Sequence, residues 1–77
     1  MDTDKIWDDI CQEREYQLAR NGPDGWQSSG DWVSIELEEL GKIAKIVNDR
    51  LGEEDLRKGL ISAAAVLVAW VEEMDSE

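Results

Sequence analysis

Leu60-Ile61-Ser62-Ala63-Ala64-Ala65-Val66-Leu67-Val68-Ala69-Trp70-Val71 is the stretch from which the fold is read, because Ser62 is its single polar residue. A helix that is apolar all the way round has to be covered all the way round. The stretch is too short to span a bilayer, which takes about 20 apolar residues. It therefore predicts a core helix. Three consecutive alanines allow a neighbouring helix to come close. Upstream, Glu53, Glu54 and Asp55 place negative charge where a helix N-terminus favours it, and the helix is expected to run to about Met74.

Two more helices are predicted outside this one. The nearer opens at Asp31 as N-cap, continues to Arg50 or Leu51, and ends at Gly52. Its apolar positions form two rows. Val33, Leu37, Leu40, Ala44, Val47 and Leu51 repeat in steps of four and three, and Trp32, Ile35, Ile43 and Ile46 widen the face. Two rows imply contacts on two sides. The farther helix runs from Thr3, as N-cap, to Arg20, with Ile6, Trp7, Ile10 and Cys11 on its apolar side and Asn21-Gly22-Pro23 as a stop signal. Gly22 to Gly30 is a loop by composition, and Trp26 within it is expected to fold back over the core rather than to stack on a ligand.

The expected architecture is one all-α domain over residues 1–77: a three-helix chain that completes a four-helix-bundle-type core by dimerisation. So short a chain buries too little surface to be comfortable alone. Other staples are missing. A lone cysteine, Cys11, makes no intrachain disulfide, and without histidine there is no Cys/His zinc site. Trp32, Leu37, Leu40, Leu60, Val66 and Trp70 are the expected core and dimer residues, and Trp7 is read as a core or interface anchor.

Charge narrows the function classes. Eight basic against nineteen acidic residues leave a formal charge of −11, which disfavours direct binding to nucleic-acid phosphates or an anionic membrane. It suits a metal-dependent acidic site, a basic protein partner, or plain solubility. Met1-Asp2-Thr3-Asp4 is acidic and no apolar segment follows it, so a cytoplasmic location is expected.

Few residues offer chemistry. Cys11 has no histidine to activate it and is expected to be a small buried hydrophobe. Ser28, Ser29 and Ser34 have no base nearby in sequence and read as cap or loop residues. Glycine-rich phosphate-binding patterns are absent. What stands out is Glu36, Glu38, Glu39 and Lys42 on the second helix, where Glu38 and Lys42, four apart with the acid first, are expected to pair.

Three segments together resemble the MazG-like all-α nucleotide pyrophosphohydrolases, over roughly Glu13 to Glu73. Glu13-Arg14-x-x-Gln17-x-x-Arg20-x-Gly22 is similar to that family's E-R-x-x-Q-x-x-K-W-G stretch, with Asn21 in place of its tryptophan. Trp32-x-x-Ile35-x-x-Glu38-Glu39-Leu40-Gly41-Lys42 resembles the helix carrying E-E-x-x-E. The run Leu56 to Val66, with Ala69-Trp70, resembles the helix carrying E-x-x-D. In that family these carboxylates hold Mg²⁺, which binds the triphosphate and activates water.

The resemblance implies a damaged site. Glu38 and Glu39 match, as the vestige of the metal site. Lys42 stands where the third Glu belongs, Gly59 where the next Glu belongs, and Ser62 where the Asp belongs. Mg²⁺ requires hard oxygen ligands in near-octahedral geometry at about 2.0–2.1 Å. An ammonium about 4 Å from a divalent cation, at an effective dielectric near 20, adds on the order of 8 kcal/mol of repulsion before relaxation.

Three functions are therefore expected in competition. One is a catalytically disabled relative that binds a protein partner and needs no cofactor. Another is a Mg-dependent nucleoside triphosphate pyrophosphohydrolase, or nucleotide binder, with a rearranged site that uses Glu54, Asp55, Lys42 or Lys58. A third is a small acidic inhibitor that covers a basic, nucleic-acid-binding surface of another protein.

Overall fold

The computed structural model describes residues 2–21 and 28–75, with Asn21 described by its backbone. Among these residues there are three α-helices and no strand: α1 (Thr3–Asn21), α2 (Ser29–Asn48) and α3 (Glu53–Asp75). The expected loop from Gly22, with Trp26, lies largely at 22–27, outside the described residues.

Local chemistry sets each boundary. Asp2, not Thr3, caps α1: its Oδ1 accepts from the Lys5 N–H at 3.0 Å and its carbonyl from the Ile6 N–H at 3.2 Å. At α2 the N-cap is Ser28 rather than Asp31. Ser28 Oγ accepts from the Asp31 N–H at 3.2 Å and Asp31 Oδ2 accepts from the Ser28 N–H at 3.0 Å, a reciprocal capping box. A serine three residues ahead of an acid satisfies two orphan N–H groups; an isolated aspartate satisfies one.

The end of α2 comes earlier than Gly52. Asp49 is the C-cap, Arg50 takes a left-handed φ of 52°, and the Leu51 N–H returns to the Ile46 carbonyl at 3.1 Å. That is a Schellman ending with arginine where glycine is usual, at a cost of about 1 kcal/mol.

α3 is the central helix; α1 and α2 each pack on it and not on one another. α2 and α3 run antiparallel. Trp32 stacks on Trp70 with centroids 6.2 Å apart and planes 6° apart, Glu39 meets Ser62, and Ile43 and Ile46 lie over Gly59. A Cβ at Gly59 would sit 3.1 Å from Ile43 Cγ1, so the missing side chain is what lets the two helices approach there.

Among the described residues the buried apolar core consists of Ile10, Ala63, Ala65 and Val66, and no large side chain of theirs is fully enclosed. Of the expected core and dimer residues, Val66 is buried and Trp32 and Trp70 are partly buried, whereas Leu37 (61% exposed), Leu40 and Leu60 lie on the surface. Cys11 is exposed, contrary to expectation. The reason is geometric. α1 leans on α3 along one narrow stripe through Ile10, Arg14 and Gln17, and Trp7, Cys11 and Leu18 fall on the neighbouring, exposed stripe. No helix among the described residues is long and apolar enough to cross a membrane.

Candidate functional site

Glu39 and Lys42 of α2 and Gln17 of α1 meet at Ser62 of α3, which α1 and α2 reach from two sides. α2 presents Glu39 toward α3 because position 39 lies on the same stripe as Trp32, Ile43 and Ile46, which face α3. Glu39 is thus buried, at 7% exposure, and Glu38, one residue earlier, is exposed.

Glu39 has neighbours for both carboxylate oxygens. Ser62 Oγ donates to Glu39 Oε2 at 2.8 Å, and Lys42 Nζ lies 3.5 Å from Glu39 Oε1. Gln17 Nε2 of α1 completes the cluster, donating to Ser62 Oγ and the Ser62 carbonyl at 3.3 Å each and to Glu13 Oε2 at 3.1 Å. Lys42 therefore pairs with Glu39, three residues back, and not with the expected Glu38. A carboxylate withdrawn from water attracts the ammonium more strongly than an exposed one, and both spacings are within reach on a helix.

Sequence reasoning placed Glu36 in the cluster without giving it a role. Its side chain is partly buried and both carboxylate oxygens are shielded from solvent with no hydrogen-bond partner among the described residues. Burial pushes its carboxyl above the ordinary range, and the Glu39 charge adds to the shift. The signal that could have found it is its spacing, three residues before Glu39 and four after Trp32, on the stripe that faces α3.

The other candidates lie apart. Glu54 and Asp55 are exposed at the start of α3, where Glu54 Oε1 is 3.8 Å from Lys58 Nζ. Asp9 bonds Arg57 Nη2 at 2.7 Å and Lys5 Nζ at 3.2 Å, and these two hydrogen bonds hold its carboxyl below the ordinary range. Beside it an open cleft between α1 and α3 is lined by Gln12, Glu13, Tyr16, Lys58 and Ile61. At the far end Arg14 pairs with Glu72, and the Trp32 indole N–H donates to Glu73.

A magnesium ion does not fit the donors present. Glu39 is engaged by a hydroxyl and an ammonium, Gly59 contributes no ligand and is packed under Ile43, and Glu38 points away. Among the described residues no three Asp, Glu, His or Cys side chains converge as a metal site would require. What the cluster does chemically is to satisfy a buried carboxylate and tie α1, α2 and α3 at one point. No family model matches the chain, and neither a curated protein nor a solved structure matches it.

Proposed function

We propose that this chain is a MazG-like helical scaffold that has lost its metal set and acts by binding a protein partner, working as a dimer with a four-helix core. The observation that carries the reading is the state of Glu39. The one buried carboxylate of the resembling motif has Ser62 on one oxygen and Lys42 beside the other, where a metal-binding carboxylate would keep both oxygens for the ion. Gln17, Glu39 and Ser62, which come from the three resembling segments, form one hydrogen-bonded chain, and this supports the resemblance itself. The formal charge of −11 favours a partner with a basic surface, and on that reading the protein is a small acidic inhibitor.

A second reading, a nucleotide binder or hydrolase with a rearranged site, is favoured by Glu36. Two shielded carboxylate oxygens without a partner are what an unfilled ligand position presents.

The experiment is pyrophosphate release from a panel of standard and modified nucleoside triphosphates with Mg²⁺ and with Mn²⁺. No release by helical, well-folded protein is the expected result. Metal-dependent turnover that scales with protein and disappears in Glu39→Gln and in Glu36→Gln would sink the binding reading and install the second.

A further inference from the structure

We infer that the exposed side of α1 that carries Trp7 is the seat of a basic amphipathic helix of the protein partner. The inference rests on the binding reading and names the surface on which that binding takes place.

Two parallel rows make the surface. Asp4, Asp8 and Glu15 form one, and Trp7, Cys11 and Leu18 form the other, each three residues after its acid. Three residues of α-helix leave the second row about 60° round from the first, so the rows run side by side for about 21 Å, nearly four turns. All six residues are exposed, Trp7 to 52% and Leu18 to 58%. α1 meets α3 through a different side, at Ile10 and Gln17, and that packing leaves an indole and a leucine of this row about half in water.

Charge selects the occupant. Asp4, Asp8 and Glu15 have no ion-pair partner among the described residues. The cations of α1 are engaged elsewhere. Lys5 bonds Asp9, on the far side of the helix from Trp7, and Arg57 of α3 bonds the same carboxylate. Arg14, on the other flank of the apolar row, pairs with Glu72, and Arg20 lies over the Tyr16 ring, 5.5 Å from its centroid.

Three uncompensated carboxylates in register with an apolar row fit a helix whose own apolar stripe is flanked by Lys or Arg. Tryptophan, whose large ring loses water on docking, is a common anchor of such interfaces. An anionic membrane or a nucleic acid is repelled by the acid row. A second copy of this chain carries the same row and the same net charge of −11.

Fluorescence anisotropy of a labelled synthetic peptide, titrated with the full chain, tests this. The peptide is about 18 residues long, some 27 Å of helix, with leucines along one stripe and lysines along the next. Saturable binding that weakens as salt rises is expected, with a scrambled peptide of the same composition binding at least about tenfold more weakly. Trp7→Ala raises the Kd about tenfold. The triple variant Asp4→Asn, Asp8→Asn, Glu15→Gln does the same and has a shallower salt dependence. Two controls leave the Kd within about twofold: Glu53→Gln, Glu54→Gln, Asp55→Asn, which removes as many charges from the start of α3, and Tyr16→Ala, an equally exposed aromatic elsewhere on α1. Far-UV circular dichroism checks the helix content of each variant, and should the triple variant lose helix, Trp7→Ala against Tyr16→Ala carries the comparison.

Equal weakening by the α1 and α3 charge removals, equal binding of the scrambled peptide, or no binding at all overturns the inference. Pyrophosphate release is read separately. Turnover with the peptide held at α1 sinks the disabled-enzyme reading and leaves this surface standing, whereas no turnover with the peptide held at another face sinks this surface alone.

Discussion

The inner and outer rows of α2 are equally legible as helical stripes and have opposite fates. Trp32, Ile43 and Ile46 are drawn down onto α3, whereas Val33, Leu40 and Val47, on the neighbouring stripe, are left about half exposed. Composition does not separate them. What separates them is Gly59, whose missing side chain opens a seat for Ile43 and Ile46, and the indole pair Trp32–Trp70, which fixes the other end of the crossing. The two regions thus carry different kinds of stability. Inner-row contacts belong to the chain itself. Outer-row contacts, in the dimer we propose, exist only in the assembly, and their contribution depends on concentration.

The sharpest way to break this comparison is at its inner anchor. Trp70→Ala removes the stacked partner of Trp32, and a loss of about 3 kcal/mol is expected in chemical denaturation. A loss no larger than that from Leu67→Ala, at a half-exposed position of α3, at equal protein concentration, would mean that the rows are not energetically distinct.

Next comes the polar tie. Ser62→Ala leaves Glu39 without its hydroxyl donor and Gln17 without its acceptor at that oxygen, and a loss of about 1–2 kcal/mol is expected. If stability does not change, the cluster is solvated and does not hold the helices together.

Glu36 gives a prediction of opposite sign. Its carboxyl is raised, so the folded chain favours the neutral acid, and the charged form weighs against folding above the raised value. That cost fades as pH falls and is gone below the ordinary value of 4.5. Glu36→Gln is therefore expected to stabilise the protein at neutral pH by a few tenths of a kcal/mol, solvent screening reducing the effect at this partly exposed side chain, with the gain vanishing in acid. A pH-independent gain would assign the effect to something other than ionisation. Asp9 titrates the other way. Its lowered carboxyl supports the fold above the ordinary value of 3.8 and the support is lost as pH falls through the lowered one.

Gly41→Ala separates the two regions most directly. For a free helix face it adds up to about 1 kcal/mol of helix stability. Beneath a second copy it pushes the backbones apart, and we expect the dimer dissociation constant to rise about tenfold, or about 1.4 kcal/mol. Tighter association in the alanine variant would show that nothing approaches this position.

Three helices, their approximate ends and their apolar stripes were all readable from periodicity and punctuation. The central place of α3 was readable from Leu60 to Val71, but its cover is not complete, since Leu60, Leu67 and Val71 stay about half exposed. The candidate site was half readable. Spacing brought Glu39 and Ser62 to notice, but the partner of Lys42 and the seclusion of Glu36 depend on which side of α2 meets α3. Cys11 failed for the same reason: a residue can be periodic with apolar neighbours and still miss the narrow stripe on which α1 rests.

The sequence by itself determined local matters: helices, caps built from Ser28 and Asp31, an acidic surface, and more apolar positions than one small chain can enclose. Only the tertiary structure decided which apolar row turns inward and which carboxylate is buried. Neighbouring rows differ by about 100° of rotation and by nothing in their periodicity, so the choice is made by contacts between helices, at Gly59 and between Trp32 and Trp70.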